Sequence, residues 1–214
     1  MEKEGVLKID VICFDWNGTL LDDLQIVFEG VKAIFSYFGK PMPPLEEYRR
    51  EMGNDYLPFY RKRGIDGSRE LLNRIMAEKI LSLSQPRIFD DALMTISFFR
   101  ERGVKTALVS LRQEKGLFAD LSANKIENFF DFVRAGALNK TEVLKEMLRF
   151  FKASARGVIS VGDMATDIIA AKNAGVISCG IAHGYHSKKN LVETNPDFLI
   201  EHLRELKTIA VNGS

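Results

Sequence analysis

The spacing of apolar residues divides the chain into a strand, a helical segment and an alternating segment. Val11 to Phe14 is an unbroken apolar run of the kind found in buried parallel strands. From Leu24 to Phe38 apolar residues recur every three or four positions, and Gly39 ends the segment, which predicts an amphipathic helix. Positions 41–85 contain further helical periodicity and no strand pattern, so we interpret them as part of an all-helical insertion.

After Pro86 strands alternate with helices, which predicts parallel β-α units. We expect strands over 104–109, near 132–133, and over 158–161, 176–181 and 198–200. Helices are predicted over 91–102, 113–124, 141–151 and 165–174, with a polar loop over 183–190 and a terminal helix. The chain is thus predicted to be α/β, with a Rossmann-like three-layer core, a central parallel sheet and an inserted all-helical cap. Residues 1–21 and 86–214 would form the core and 22–85 the cap.

Composition and charge limit the partners of such a protein. Hydrophobic residues make up 46% of the chain and charged residues 28%, which is typical of a globular protein. Thirty basic and twenty-nine acidic residues leave a net charge of +1, so no global field attracts nucleic acid or membrane, and any anion site must be local. No basic leader or membrane-length apolar run is evident. We expect a cytoplasmic monomer or weak homodimer.

Neither cysteine nor histidine spacing predicts a metal site. Cys13 and Cys179 lie inside apolar strand-like runs, which favours small core residues over a disulfide or a metal pair. His183 and His186 could form half a zinc site, but no third or fourth ligand accompanies them, so we interpret both as loop residues or peripheral substrate contacts.

Polar side chains follow three of the predicted strands. Asp15 and Ser110 come directly after apolar runs, and Asp163 follows one after a single glycine. Because parallel strands end at the same edge of a sheet, and ligands bind outside those ends, these three residues are expected to converge there. The insertion leaves from the same edge and could return above it as a lid.

Four motifs, taken in order, resemble those of the haloacid dehalogenase superfamily, in particular its phosphoglycolate-phosphatase-like, magnesium-dependent phosphatases with a helical cap. They are DWNGTL at positions 15–20, Ser110 after ALV, a lysine that opens a helix, and GDMATD at positions 162–167. Taken alone, Ser110 and Asp163 are typical helix caps and the lysine a solvated charge. Their joint order at strand ends and helix starts favours the family.

The resemblance implies a role for each residue. Asp15 would be the nucleophile and become an aspartyl phosphate. The metal site would consist of Asp15, the backbone carbonyl of Asn17, Asp163 and Asp167. The first three would hold Mg²⁺, and Asp167 would orient the lysine or a metal-bound water. Ser110 and neighbouring backbone N–H groups, including that of Leu111, would hold phosphate oxygens.

The lysine is assigned to Lys140, which would neutralise Asp15 and a phosphate oxygen. The family usually has proline after this lysine, whereas this chain has Thr141. Lys145 and Lys125 are therefore kept as alternatives.

Position 17 departs from the family pattern, because the phosphatases have there a second aspartate that acts as general acid and base. An amide cannot exchange a proton near neutral pH, and the lost function is worth about 10² to 10⁴ in rate. Three consequences remain open: slow turnover or a restriction to good leaving groups such as acyl or aryl phosphates, substitution by another group, or binding of phosphorylated ligands without turnover.

Two other activities of the superfamily are disfavoured. Dehalogenases usually have an aromatic residue at position 17 and lack the magnesium-binding acids. Phosphonate hydrolases need a cap lysine that forms an imine, and Lys62 is a poor match for it.

The cap is expected to select a small phosphorylated metabolite, which the sequence does not name. Gly53 and Asn54 form a loop that could dip toward the core, and Arg61 or Arg63 could receive a second anionic group, although solvated side chains are the commoner outcome. Arg112, two residues after Ser110, is a further candidate anion contact. The favoured function is magnesium-dependent hydrolysis of a phosphate monoester, and the alternative is a phospholigand-binding or regulatory protein.

Overall fold

A computed structural model describes residues 8–53 and 55–211. Its strands confirm the predicted alternation of strands with helices. In chain order they are β1 (Val11–Phe14), β2 (Leu21–Asp22), β3 (Arg87–Ile88), β4 (Lys105–Val109), β5 (Phe132–Arg134), β6 (Val158–Gly162), β7 (Ile177–Ile181) and β8 (Phe198–Ile200). Six of them form one sheet in the order β5-β4-β1-β6-β7-β8, and every neighbouring pair is parallel. The predicted central parallel sheet is confirmed, with β1 between β4 and β6.

Helices cover both faces of this sheet. The helices are α1 (Leu24–Tyr37), α2 (Leu45–Glu51), α3 (Leu57–Arg61), α4 (Arg69–Leu81), α5 (Ala92–Arg100), α6 (Glu114–Ala123), α7 (Lys140–Phe151), α8 (Ala165–Ala174), α9 (Lys188–Glu193) and α10 (Leu206–Val211). Apolar residues of α5, α6 and α10 belong to one buried cluster, and those of α7 and α8 to another. The predicted three-layer, Rossmann-like core is therefore confirmed.

Strand β1 shows why an unbroken apolar run is needed at the centre of the sheet. Ile12 and Phe14 belong to the cluster under α5 and α6, whereas Val11 and Cys13 belong to the cluster under α7 and α8. None of the four is more than 1% exposed. Because alternate side chains point to opposite faces, a strand covered on both faces must be apolar at every position. Cys13 and Cys179 are buried free thiols, as predicted.

The insertion is helical, as predicted, and has an apolar cluster of its own. Helices α1 to α4 contribute its residues, with the Phe35 ring packed 6.0 Å from Phe59 and 5.9 Å from Tyr60 between centroids. The Ser68 hydroxyl begins α4 by accepting a hydrogen bond from the backbone N–H of Leu71. Among the described residues, no helix has both the length and the apolar character needed to cross a membrane.

Two short elements were missed by the sequence prediction. Strands β2 and β3 pair antiparallel, with Asp22 opposite Arg87, at the two connections between core and insertion. Two-residue strands carry no periodic pattern, which explains the omission. The prediction of a polar loop over 183–190 was wrong at its C-terminal end. Ser187 caps helix α9, which begins at Lys188.

Arg49 and His186 join the insertion to the core. The Arg49 guanidinium donates to the carbonyls of Ala182 at 2.8 Å, Gly184 at 3.0 Å and His186 at 3.1 Å. His186 Nδ1 lies 3.0 Å from the N–H of Ala165, so its Nε2 is left to donate to the Met52 carbonyl at 2.8 Å. These bonds hold α2 of the cap against the loop after β7.

Candidate active site

Asp15, Lys140 and Asp167 meet at the carboxyl edge of the sheet. Asp15 follows β1, Lys140 is the first residue of α7, and Asp167 lies in the first turn of α8. The Lys140 ammonium is 2.8 Å from Asp15 Oδ1 and 2.6 Å from Asp167 Oδ1. All three side chains are nearly buried, with exposures of 12% for Lys140, 11% for Asp15 and 5% for Asp167. One cation thus bridges two carboxylates at the predicted convergence point.

Asp163 brings a third carboxylate to the same place. One oxygen each of Asp15, Asp163 and Asp167 lie within 4.8 Å of one another. Asp163 is fully buried, and it accepts hydrogen bonds from the Thr19 hydroxyl at 2.9 Å and from the Tyr185 N–H at 2.6 Å. These two donors fix the orientation of a carboxylate that follows β6.

Two glycines allow the backbone to approach Asp163 this closely. A Cβ atom on Gly184 would lie 2.2 Å from Asp163 Oδ2 and 2.4 Å from the Gly18 carbonyl oxygen. A Cβ on Gly18 would lie 2.3 Å from the same Asp163 oxygen, and its φ of +71° is in the left-handed region. Any side chain at either position would displace the carboxylate.

The electrostatics of the cluster show an excess of negative charge. Burial raises the pKa of Asp15 to about 6, although Lys140 opposes the increase. The pKa of Asp163 is raised by burial and by the charges of Asp15 and Asp167. Burial lowers the pKa of Lys140, but its two carboxylate partners outweigh that effect and raise it overall. The site therefore stabilises the positive charge on Lys140, and a second cation would reduce the repulsion among the three carboxylates.

The donor set fits Mg²⁺. This ion prefers oxygen ligands, keeps several waters and is commonly bound by one or two carboxylates together with substrate phosphate. Asp15 and Asp163 offer such oxygens within 4.8 Å. Both oxygens of Asp167 are engaged, one with Lys140 and one with the N–H of Met164 at 3.0 Å, an arrangement that suits orientation of the lysine.

Asn17 is held by a carboxylate that the sequence analysis did not assign to the site. Its side-chain nitrogen donates to Asp23 Oδ2 at 2.6 Å, and the N–H of Gly18 donates to Asp23 Oδ1 at 3.0 Å. Asp23 is 4% exposed; burial raises its pKa, although hydrogen bonds from Asn17 and Tyr185 oppose the increase. Asp23 precedes α1 without capping it, because its side chain turns back toward the loop.

The residues after β4 divide into two groups. Ser110 and Leu111 line a cavity above Asp15. Arg112 instead donates to Asp120 at 3.0 Å, and the indole N–H of Trp16 donates to the same carboxylate at 3.0 Å. Arg112 is thus engaged in an internal ion pair, and its predicted anion contact stays a prediction.

The cap residues that the sequence analysis named differ in where they lie relative to the cavity. Gly53 lines the cavity, Arg61 is exposed and is not among the described lining residues, and Asn54 lies outside the described residues. Arg63 pairs with Glu47 and Glu51, and Lys62 pairs with Glu51.

The remaining candidates have structural partners elsewhere. Lys145 forms a surface pair with Glu142, and Lys125 occupies a turn with φ of 58°, which leaves Lys140 as the lysine beside Asp15. His183 stacks on Phe89 and lies 3.1 Å from the Thr19 carbonyl, and His186 is bound as described above. Both histidines have the loop role that the sequence analysis favoured.

The cavity has a volume of about 250 Å³ and lies between core and cap. Its core end is formed by Asp15, Asn17, Ser110, Leu111, Lys140, Met164, Thr166 and Tyr185, and its cap end by Val27, Tyr48, Met52, Gly53, Tyr56, Tyr60 and Met76. Tyr185, which no sequence motif singles out, contributes both a cavity wall and the N–H that donates to Asp163.

This fold and this edge of the sheet define a class of hydrolase. The family model for haloacid dehalogenase-like hydrolases matches residues 12–181, which include all but the first residue of β1, the insertion and all three carboxylates. The chain belongs to the haloacid dehalogenase-like hydrolase family. The resemblance drawn from the four motifs is thereby confirmed, as is the prediction that the protein is an enzyme.

Individual relatives match this chain over most of its length but at low sequence identity. Phosphoglycolate phosphatase 1 of Pseudomonas aeruginosa is 24% identical over 212 residues, which cover 92% of this chain and 78% of the relative. The phosphoglycolate phosphatase of Pseudomonas putida is 27% identical with the same coverage. A crystal structure of a haloacid dehalogenase-like protein of unknown function from Agrobacterium tumefaciens superposes with a TM-score of 0.79 at 21% identity, over 95% of this chain and 98% of the other. Because sequence identity to this last structure is low, the similarity shows a shared fold alone.

Proposed function

We propose that the protein is a magnesium-dependent phosphatase that hydrolyses small phosphate monoesters in the cytoplasm through an aspartyl phosphate on Asp15. The observation that carries the proposal is the Lys140 ammonium, 2.8 Å from Asp15, with a buried Asp163 beside the same cavity. The names of the two Pseudomonas relatives support a phosphate ester as substrate.

In the first step, an oxygen of Asp15 attacks phosphorus, and the bond between phosphorus and the ester oxygen breaks. The bonding electron pair leaves with that oxygen. A carboxylate attacking a phosphate is opposed by charge repulsion, which Lys140 reduces from the side of Asp15. Ser110 and nearby backbone N–H groups would hold the phosphate oxygens. Water then attacks phosphorus in the aspartyl phosphate, the bond between phosphorus and the Asp15 oxygen breaks, and its electron pair stays on Asp15 as the carboxylate. Inorganic phosphate leaves with the oxygen and the protons of the water.

Asp15, the backbone carbonyl of Asn17 and Asp163 would hold Mg²⁺, with Asp167 fixing Lys140. When bound, the ion polarises the phosphate and offsets its negative charge. Thr19 and Tyr185 keep Asp163 in place by donating to its two oxygens at 2.9 and 2.6 Å.

Asn17 restricts this chemistry. Its side-chain amide is neither an acid nor a base at neutral pH, so the leaving oxygen departs as an anion and the attacking water is not deprotonated by this residue. Turnover is therefore expected to be slow for alkyl phosphates and faster for esters of acidic alcohols.

A second function rests on the same residue. The Asn17 amide donates a hydrogen bond of 2.6 Å to Asp23, which orders the loop. A protein that only binds phosphorylated ligands needs such an ordered loop and does not need a catalytic acid. Such a protein would bind a phosphate ester and release it unchanged.

Steady-state hydrolysis separates the two functions. We expect the protein to hydrolyse phenyl phosphate with Mg²⁺, to lose activity with EDTA, and to lose it in Asp15→Asn and Asp163→Asn. Lys145→Met is a matched control, because Lys145 lies on the same helix in a surface pair, and it should retain activity. Absence of turnover with phenyl phosphate and a panel of phosphorylated metabolites, despite measurable binding, would establish the binding function instead.

A further inference from the structure

We infer that the substrate is the phosphate ester of an uncharged aromatic alcohol. The inference rests on the proposed function and names its substrate class. Three features of the cavity support it: its apolar wall, its lack of a second cation, and Asn17 at its floor.

The cap end of the cavity is aromatic and apolar. Tyr48, Tyr56 and Tyr60 form it together with Val27, Met52 and Met76. Tyr48 is 2% exposed and Tyr60 1% exposed, so their rings are fixed parts of the wall. A cavity of about 150 Å³ already holds benzene, and this one is about 250 Å³. One aromatic ring and a phosphate fit the available space, and rings pack favourably against tyrosine and methionine.

The cavity offers no counter-charge for a second anionic group. Lys140 is the sole cationic side chain among the described lining residues, and it is committed to Asp15 and Asp167. A carboxylate or second phosphate at the cap end would be removed from water without a partner, which is strongly unfavourable.

Nearby basic side chains are turned to other partners. Arg49 donates to three backbone carbonyls of the loop after β7, Arg63 is paired with Glu47 and Glu51, and Arg112 is paired with Asp120. Recruiting any of them would break contacts that hold the cap or the core together.

Asn17 independently favours the same class. Without a proton donor at position 17, the ester bond breaks fastest when the leaving alcohol is acidic, and phenols are far more acidic than alkyl alcohols. The wall of the cavity and the chemistry at its floor thus select the same kind of ester.

Matched aryl esters test the charge requirement without changing the leaving group greatly. We expect kcat/KM for 4-carbamoylphenyl phosphate to exceed that for 4-carboxyphenyl phosphate by about 100-fold, since the carboxylate would be buried without a partner. Equal values, or a preference for the carboxylate ester, would overturn the substrate class while leaving the proposed function intact. Hydrolysis of phosphorylated metabolites but of no aryl ester would likewise overturn the substrate class, whereas failure to hydrolyse any of these esters, with Mg²⁺ present, would remove the proposed function itself.

Discussion

Exchanging Asn17 and Asp23 should restore proton transfer to the leaving group. The two side chains already share a hydrogen bond of 2.6 Å, with the amide of Asn17 donating to the carboxylate of Asp23. The double variant Asn17→Asp/Asp23→Asn reverses that bond and conserves net charge. It places a carboxylate at a cavity-lining position and a neutral amide behind it.

The single variant Asn17→Asp should behave differently. It would set two buried carboxylates against each other, and at about 4 Å between charge centres the repulsion is about 4 kcal/mol for an effective dielectric of about 20. That energy corresponds to a pKa increase of about 3 for one of the two acids, so the pair would retain a shared proton near neutral pH. In the double variant this repulsion is absent.

The leaving-group dependence of kcat/KM provides the assay. For an alkyl phosphate the double variant should gain about 10² to 10⁴-fold, which is the usual worth of general acid catalysis. For 4-nitrophenyl phosphate, whose leaving group departs without a proton, the gain should be less than about 10-fold. Asp23→Asn alone is the matched control and should leave the ratio of aryl to alkyl rates unchanged.

A uniform change in both rates would refute this reasoning. If the double variant gained equally on alkyl and aryl phosphates, position 17 would not control protonation of the leaving group. If its alkyl rate stayed at the wild-type level while the protein remained folded and bound Mg²⁺, another group would already be supplying the proton.

Four further predictions concern charge and cap contacts. In metal-free protein, Lys140→Met should lower the free energy of unfolding, measured by urea titration, by about 3 to 5 kcal/mol, because Asp15 and Asp167 lose their shared cation. Added Mg²⁺ should restore part of this lost stability in the same titration. The pKa of Asp15 is raised from 3.8 to about 6; since the folded state then binds more protons than the unfolded state, metal-free stability should fall as pH rises between about 4 and 6. Mg²⁺ binding at pH 5.5 should release protons, detectable by calorimetry in buffers of different ionisation enthalpy. Arg49→Met removes donors to three carbonyls, and hydrogen exchange should become faster in residues 182–186, whereas an unchanged rate would contradict the proposed cap contact.

Long periodic segments made most of the fold predictable from sequence. Strand β1 is buried on both faces and is therefore apolar at every position, and α8 ends at Gly175 as its pattern indicates. Strands β2 and β3 were missed because two residues carry no period, and their pairing joins positions 21–22 to 87–88 across the entire cap. Such long-range pairing depends on tertiary structure.

The candidate site was predictable where side chains follow strands. Asp15, Ser110 and Asp163 converge because parallel strands end together, and Lys140 lies where the third motif implied. Asp23, Tyr185 and the pairing of Arg112 with Asp120 were not predictable, since each depends on the conformation of a loop, which no periodic pattern or motif records. Arg112 illustrates the difficulty: its position after Ser110 suggests an anion contact, whereas a buried carboxylate 8 residues further along binds it.

The most direct test of Asp15 as nucleophile is detection of its phosphorylated form. Wild-type protein with Mg²⁺ and 4-nitrophenyl phosphate would be quenched with acid within the first turnover, and peptides would be sequenced by mass spectrometry. We predict a phosphoryl group on Asp15, formed in a burst of nitrophenolate of at most one equivalent per chain and absent from Asp15→Asn. A phosphoryl group on another residue, or undiminished turnover by Asp15→Asn, would contradict the account.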